Sequence, residues 1–156
     1  SFYAAFGGKD KAFVEALARY VDTIARAGFE TLGQTDEPER ALSGFLRLVG
    51  EFMTSNPGRG CLLLSTIADP PRVCEEMAKP LQRNCQRLLV KLEAASEQAV
   101  GDRYPVTGQA LKAYAMTVIL GLNAMAHAGE PPEVIRAAAN TAADLLDPYQ
   151  KQPVAH

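Results

Sequence analysis

The chain reads as all-α. Apolar residues recur at the 3.6-residue helical period, Pro and Gly pairs cut that pattern into six segments, and no useful strand alternation, repeat or low-complexity tract interrupts it. Its 156 residues point to one domain with one core, burying about 68–70% of the unfolded surface.

The first helix is predicted from about Lys9 to Leu32, with Phe13, Leu17, Tyr20, Val21 and Ile24 on one face. Gly28 should weaken its last turn. A second helix follows Asp36-Glu37-Pro38-Glu39, where Asp36 is a candidate N-cap and the carboxylates favour the positive helix end. It carries Leu42, Phe45, Leu46, Val49, Phe52 and Met53 and stops at Asn56-Pro57-Gly58. A short third helix spans about Gly60 to Ala68. The fourth opens after Asp69-Pro70-Pro71 and continues toward Val100, with Pro80 expected to kink or split it by removing a backbone hydrogen bond. Cys74, Leu81, Cys85, Leu88 and Leu92 fall near one stripe of it, which reads as core.

The fifth helix, about Thr107 to Ala128, has no charged residue from Ala113 onward and so reads as buried on every side. A domain of this size rarely hides its penultimate helix alone. The sixth, about Pro132 to Leu146, adds Val134, Ile135, Ala138, Ala142, Leu145 and Leu146, with small residues that permit close approach. Two such hairpins about a two-fold axis make a four-helix bundle, with Met125, Val134, Ile135, Ala138, Ala142 and Leu145 at the dimer interface. A monomer in which the fifth helix is simply central is the competing reading.

The first fourteen residues carry a more specific signal. An aromatic-rich turn, Phe2-Tyr3-Ala4-Ala5-Phe6, meets a Gly7-Gly8 break, and Lys9-Asp10 then opens an amphipathic helix with Phe13 a turn later. This closely resembles the junction between recognition helix and connecting helix in TetR-family transcriptional regulators. The run Gly60-Cys61-Leu62-Leu63-Leu64 resembles the opening of that family's small helix beneath the connecting helix. The resemblance implies a six-helix TetR-like C-terminal domain over residues 9–148, a helix-turn-helix remnant at 1–8 and a tail at 149–156. It further implies that the last two helices form the dimer interface. Operator DNA would be read by about forty residues ahead of Ser1, with Tyr3 and Lys9 on phosphates, contacts that set register without reading bases.

Composition narrows the function classes. A net charge of -2 argues against the segment as a nucleic-acid binder in its own right. The uncharged run is shorter than the ~20 apolar residues of a membrane span, so a cytoplasmic protein is expected. Three cysteines without a Cys-x-x-Cys pair suit a reducing compartment. The two histidines, His127 and His156, have no partners at metal-ligand spacing, and no nucleophile stands beside a base. Neither a metal, a cofactor nor an enzymatic activity is expected.

The inward faces of several helices offer a ligand pocket instead. Phe45, Phe52, Leu63, Ile67, Leu81, Leu88, Tyr114, Val118 and Leu122 could line it, with Thr66, Thr117 and Asn123 as polar groups needing partners. Ordinary core packing is the simpler reading of each residue singly; the resemblance implies an enclosed, mostly apolar effector whose binding releases a repressor dimer from DNA. His127 lies one turn after Asn123 on the same face, where a hydrogen-bonded histidine is the plainer alternative to a ligand contact. Cys61, at a helix start, is a candidate thiol sensor. A helical dimerisation module without a pocket is the rival class, and a thiol-dependent redox protein is a third.

Overall fold

The computed structural model describes residues 8–33, 36–55, 57–70, 75–100 and 106–146, and these are helical with short connections. Residues 1–7, 34–35, 56, 71–74, 101–105 and 147–156, and with them Phe2, Tyr3, Phe6, Cys74, His156 and the tail, lie outside the described residues. The elements are α1 (Lys9–Tyr20), a π-helical turn (Val21–Ala25), α2 (Arg26–Leu32), α3 (Pro38–Ser55), α4 (Leu62–Ala68), α5 (Glu75–Val100), α6 (Gly108–Ala128) and α7 (Pro132–Asp144).

The predicted first helix is therefore one helical run broken by a wide turn. Thr23, inside that turn, donates its hydroxyl to the Arg19 carbonyl at 2.6 Å, the back-bonding that bends helices. Gly28 lies inside α2, which continues past it to Leu32. It is buried, and a Cβ there would come within 3.0 Å of Phe45 Cε2, so its bareness admits the ring.

Helix α3 starts one residue later than the Asp36 cap implies. The Glu37 carbonyl accepts the Ala41 N–H at 3.1 Å, and Pro38 takes the first helical position, where its missing N–H costs nothing. Helix α4 begins at Leu62, with Gly60 left-handed (φ 60°) and Cys61 extended. Helix α5 runs unbroken through Pro80, contrary to the expected split. Pro80 sits in the second turn, where only one internal hydrogen bond is lost, and Asn84 Nδ2 donates back to its carbonyl at 3.0 Å. The caps of α6 are clear: the Thr107 hydroxyl accepts the Ala110 N–H at 3.1 Å, and Gly129 ends the helix with φ 76°.

Helix α3 is the hub, packing on α2, α5, α6 and, most broadly, α7. Leu42, Leu46 and Met53 of α3 meet Leu81 and Leu92 of α5, Ile119 of α6 and Ile135 of α7 in one sealed core. Gly50 lets α3 and α7 approach closely, since a Cβ there would lie 2.4 Å from that of Ala139. Arg47–Asp144 at 2.6 Å and Arg136–Glu51 at 2.7 Å flank this seam, but both are solvent-accessible, so the apolar contact and not the ion pairs holds it.

Helix α6 is not buried all round by its own chain. Leu111, Ala115, Ile119, Leu122, Asn123 and Ala126 face inward, while Ala113, Thr117, Gly121 and Ala124 are exposed. No helix among the described residues is long and apolar enough to cross a membrane.

Candidate functional site

A cavity of about 90 Å³ lies where the first helical run meets α3, α4 and α5. Tyr20 and Ala25 bracket the π turn and face it together, joined by Gly28 and Phe29 of α2. Helix α3 contributes Phe45, Leu48, Val49, Phe52 and Met53; α4 and its approach add Cys61, Leu63 and Leu64, and α5 adds Leu88. None of these side chains is charged.

The π turn explains why Tyr20 and Ala25 share a wall. Five residues along a regular α-helix are separated by roughly 140° at 3.6 residues per turn, whereas the i to i+5 spacing of a π turn brings them onto one side. Nothing in the apolar periodicity marks such a turn.

One polar pair interrupts the apolar lining. Tyr20 Oη and Cys61 Sγ are 3.1 Å apart and share a hydrogen bond. Cys61 is held in place from behind: its N–H donates to Asn123 Oδ1 at 2.7 Å, Asn123 Nδ2 donates to Ser65 Oγ at 3.1 Å, and Ser65 Oγ lies 3.0 Å from His127 Nε2. The Gly58 N–H anchors the same loop on the Ala126 carbonyl at 3.2 Å. At Gly60 a Cβ would stand 2.5 Å from Asn123 Oδ1 and 2.6 Å from His127 Nε2, so the loop closes on α6 only with a glycine there.

Burial, reinforced by Cys61, pushes the Tyr20 phenol well above its ordinary pKa of 10.0. It stays protonated inside the fold. A group whose pKa is raised on folding contributes stability below the unfolded value and loses it as pH climbs past that value. Denaturation at about pH 9 and about pH 11 should therefore show a larger loss for the wild type than for Tyr20→Phe; equal losses would contradict the burial of this phenol. Burial, and then Cys61, likewise raises the Cys85 thiol, which donates to the Leu63 carbonyl at 3.7 Å.

Of the pocket residues expected from sequence, Phe45, Phe52, Leu63 and Leu88 line the cavity, as does Cys61. The others do not. Leu122 and Asn123 of α6 are buried but do not line the cavity, and Leu81 is sealed in the core. Thr66 satisfies itself on the Leu62 carbonyl at 2.8 Å, and exposed Thr117 does so on Ala113 at 2.8 Å. Ile67 and Val118 are half-buried against the core, and Tyr114 Oη donates to the Ala142 carbonyl at 3.3 Å, tying α6 to α7. Asn123 and His127 do share a face, and they use it to hold Ser65. Sequence reasoning missed Tyr20, Ala25, Gly28, Phe29, Leu48, Val49, Met53 and Leu64.

Among the residues assigned to a dimer interface, Val134 and Leu145 are exposed, at 43% and 71%, and Met125 and Ala138 are half-buried. Ile135 (2%) and Ala142 (8%) turn inward as part of the chain's own core, because α7 presents that stripe to α3. Lys9 is exposed at the first position of α1. Among the described residues no three potential metal ligands gather at one place. Comparison of the chain with family models, curated proteins and solved structures finds no match.

Proposed function

We propose that this chain is the ligand-binding and dimerising part of a TetR-type transcriptional regulator, a repressor released from operator DNA by a small, mostly apolar effector. The observation that carries the reading is the position of the cavity. Its wall includes Tyr20 and Ala25 on the same helical run whose start, Gly8-Lys9-Asp10, resembles the family's connecting helix. Effector site and DNA-side element are thus one piece of structure.

Size supplies the drive. A cavity of about 90 Å³ is smaller than the ~150 Å³ known to admit benzene. An effector of that bulk that settles fully among these side chains displaces part of the wall, and it then favours the conformation in which the wall has moved. The first helical run acts as the lever. In a dimer whose reading heads sit about 34–36 Å apart, its displacement spoils the match to two half-sites.

The dimer forms through outward faces of α6 and α7. Ala113, Met116, Thr117, Leu120, Gly121 and Ala124 make one uncharged stripe at helical spacing, and Val134, Ala137, Ala138, Thr141 and Leu145 make another. DNA reading resides in helices preceding Lys9, with no membrane involved. In the full-length protein, Lys9→Ala should weaken DNA binding evenly across sequences and reduce the salt slope by about 1; an unchanged affinity and slope would remove the phosphate role.

A further inference from the structure

We infer that the cavity selects a neutral, single-ring aromatic molecule carrying one hydroxyl, that is, a ligand of the phenol class, with the hydroxyl meeting Tyr20 and Cys61. This rests on the effector reading above and adds the chemistry of the effector.

Charge decides first. The lining has no cation to pair with a carboxylate and no carboxylate to pair with an amine, and an unpaired ion placed among apolar side chains bears a heavy desolvation cost. Shape decides next. The rings of Phe29, Phe45 and Phe52 all border the space, a setting in which an aromatic guest finds offset or edge-to-face neighbours. The single polar feature then fixes orientation. Tyr20 Oη and Cys61 Sγ bond to one another at 3.1 Å, and when the Tyr20 hydrogen points to sulfur the Tyr20 oxygen, which also accepts from the Leu62 backbone N–H, keeps one lone pair for a ligand O–H. Asn123 holds the Cys61 backbone at 2.7 Å, so the pair is presented by a braced loop.

The test uses three probes that share a ring and differ in one group: phenol, toluene and benzoate. Titration calorimetry on the full chain near neutral pH should show phenol binding roughly two- to tenfold tighter than toluene, the yield of one net hydrogen bond. Benzoate should not bind saturably. Tyr20→Phe should bring phenol down to the level of toluene while toluene is unaffected. Ala25→Leu, which adds bulk at the cavity wall, should abolish binding of both, with circular dichroism confirming that each variant is folded. Benzoate binding as tightly as phenol, a phenol preference that survives Tyr20→Phe, or no binding of any probe would overturn the inference. Its failure is separable from that of the regulator reading: phenol bound without effect on operator affinity counts against the regulator alone, and DNA release by a charged effector counts against the phenol class alone.

Discussion

Gly50→Val is expected to destabilise the chain by about 3 kcal/mol or more, the upper range for overpacking a close contact. The glycine is buried in mid-α3, and even a bare Cβ there would lie 2.4 Å from Ala139 Cβ on α7, well inside van der Waals contact. Neither partner is the far end of a flexible side chain, so the helices themselves must separate. That separation would strip cover from Leu46, Met53 and Ile135 and pull apart the flanking Arg47–Asp144 and Arg136–Glu51 pairs. Against a typical total of about 5–15 kcal/mol the loss is severe, and for a chain of this length it corresponds to a fall of roughly 6–12 °C in Tm. Thermal unfolding of the two proteins measures it. A shift of under about 2 °C would mean that α3 and α7 do not pack this closely.

Gly121→Arg should leave the fold intact and, with the interface proposed for α6 and α7, keep two copies from associating. A Cβ at Gly121 meets nothing within 4 Å, and in a helix interior arginine is favoured over glycine by about 0.8 kcal/mol, so the single chain tolerates the change. Placed in the middle of the uncharged α6 stripe, the guanidinium would be buried against a second copy without a counter-ion. An uncompensated buried charge costs about 3–5 kcal/mol, which weakens association by roughly a hundredfold or more. Light scattering should give twice the chain mass for the wild type and the chain mass for the variant, with circular dichroism showing that the variant is still helical. A wild type that is monomeric would remove the dimer from the account, and a variant that remains dimeric would place the interface elsewhere.

These two glycines show how legibility varies along the chain. The breakers separated the first helical run, α3, α4, α5, α6 and α7 from one another, and the residues at the ends of α6, Thr107 and Gly129, act through the cap and left-handed turn their chemistry favours. Of the kink or split expected at Pro80 the split does not form, because the packing of Leu81, Cys85, Leu88 and Leu92 further along holds the helix together despite the missing N–H. The π turn at Val21–Ala25 left no mark in the periodicity, so Tyr20 and Ala25 were not seen as neighbours. Uncharged residues on α6 were legible as requiring cover. Which of them face the chain's own core depends on how α6 is rotated about its axis, and a uniformly apolar helix does not encode that in its sequence. For the same reason five of the twelve expected pocket residues fall on α6, whereas the cavity is lined from the first helical run, α3, α4 with its approach, and α5.

The decisive measurement is the affinity of the full-length protein for DNA from its own promoter, with and without phenol at a concentration shown by calorimetry to fill the cavity. A coupling of about 1–3 kcal/mol would lower operator affinity roughly 5- to 150-fold, and Ala25→Leu, with its cavity filled, should make the affinity insensitive to phenol. Unchanged DNA affinity in the presence of a ligand demonstrably bound beside Tyr20 and Cys61 would contradict a regulator worked through this helix.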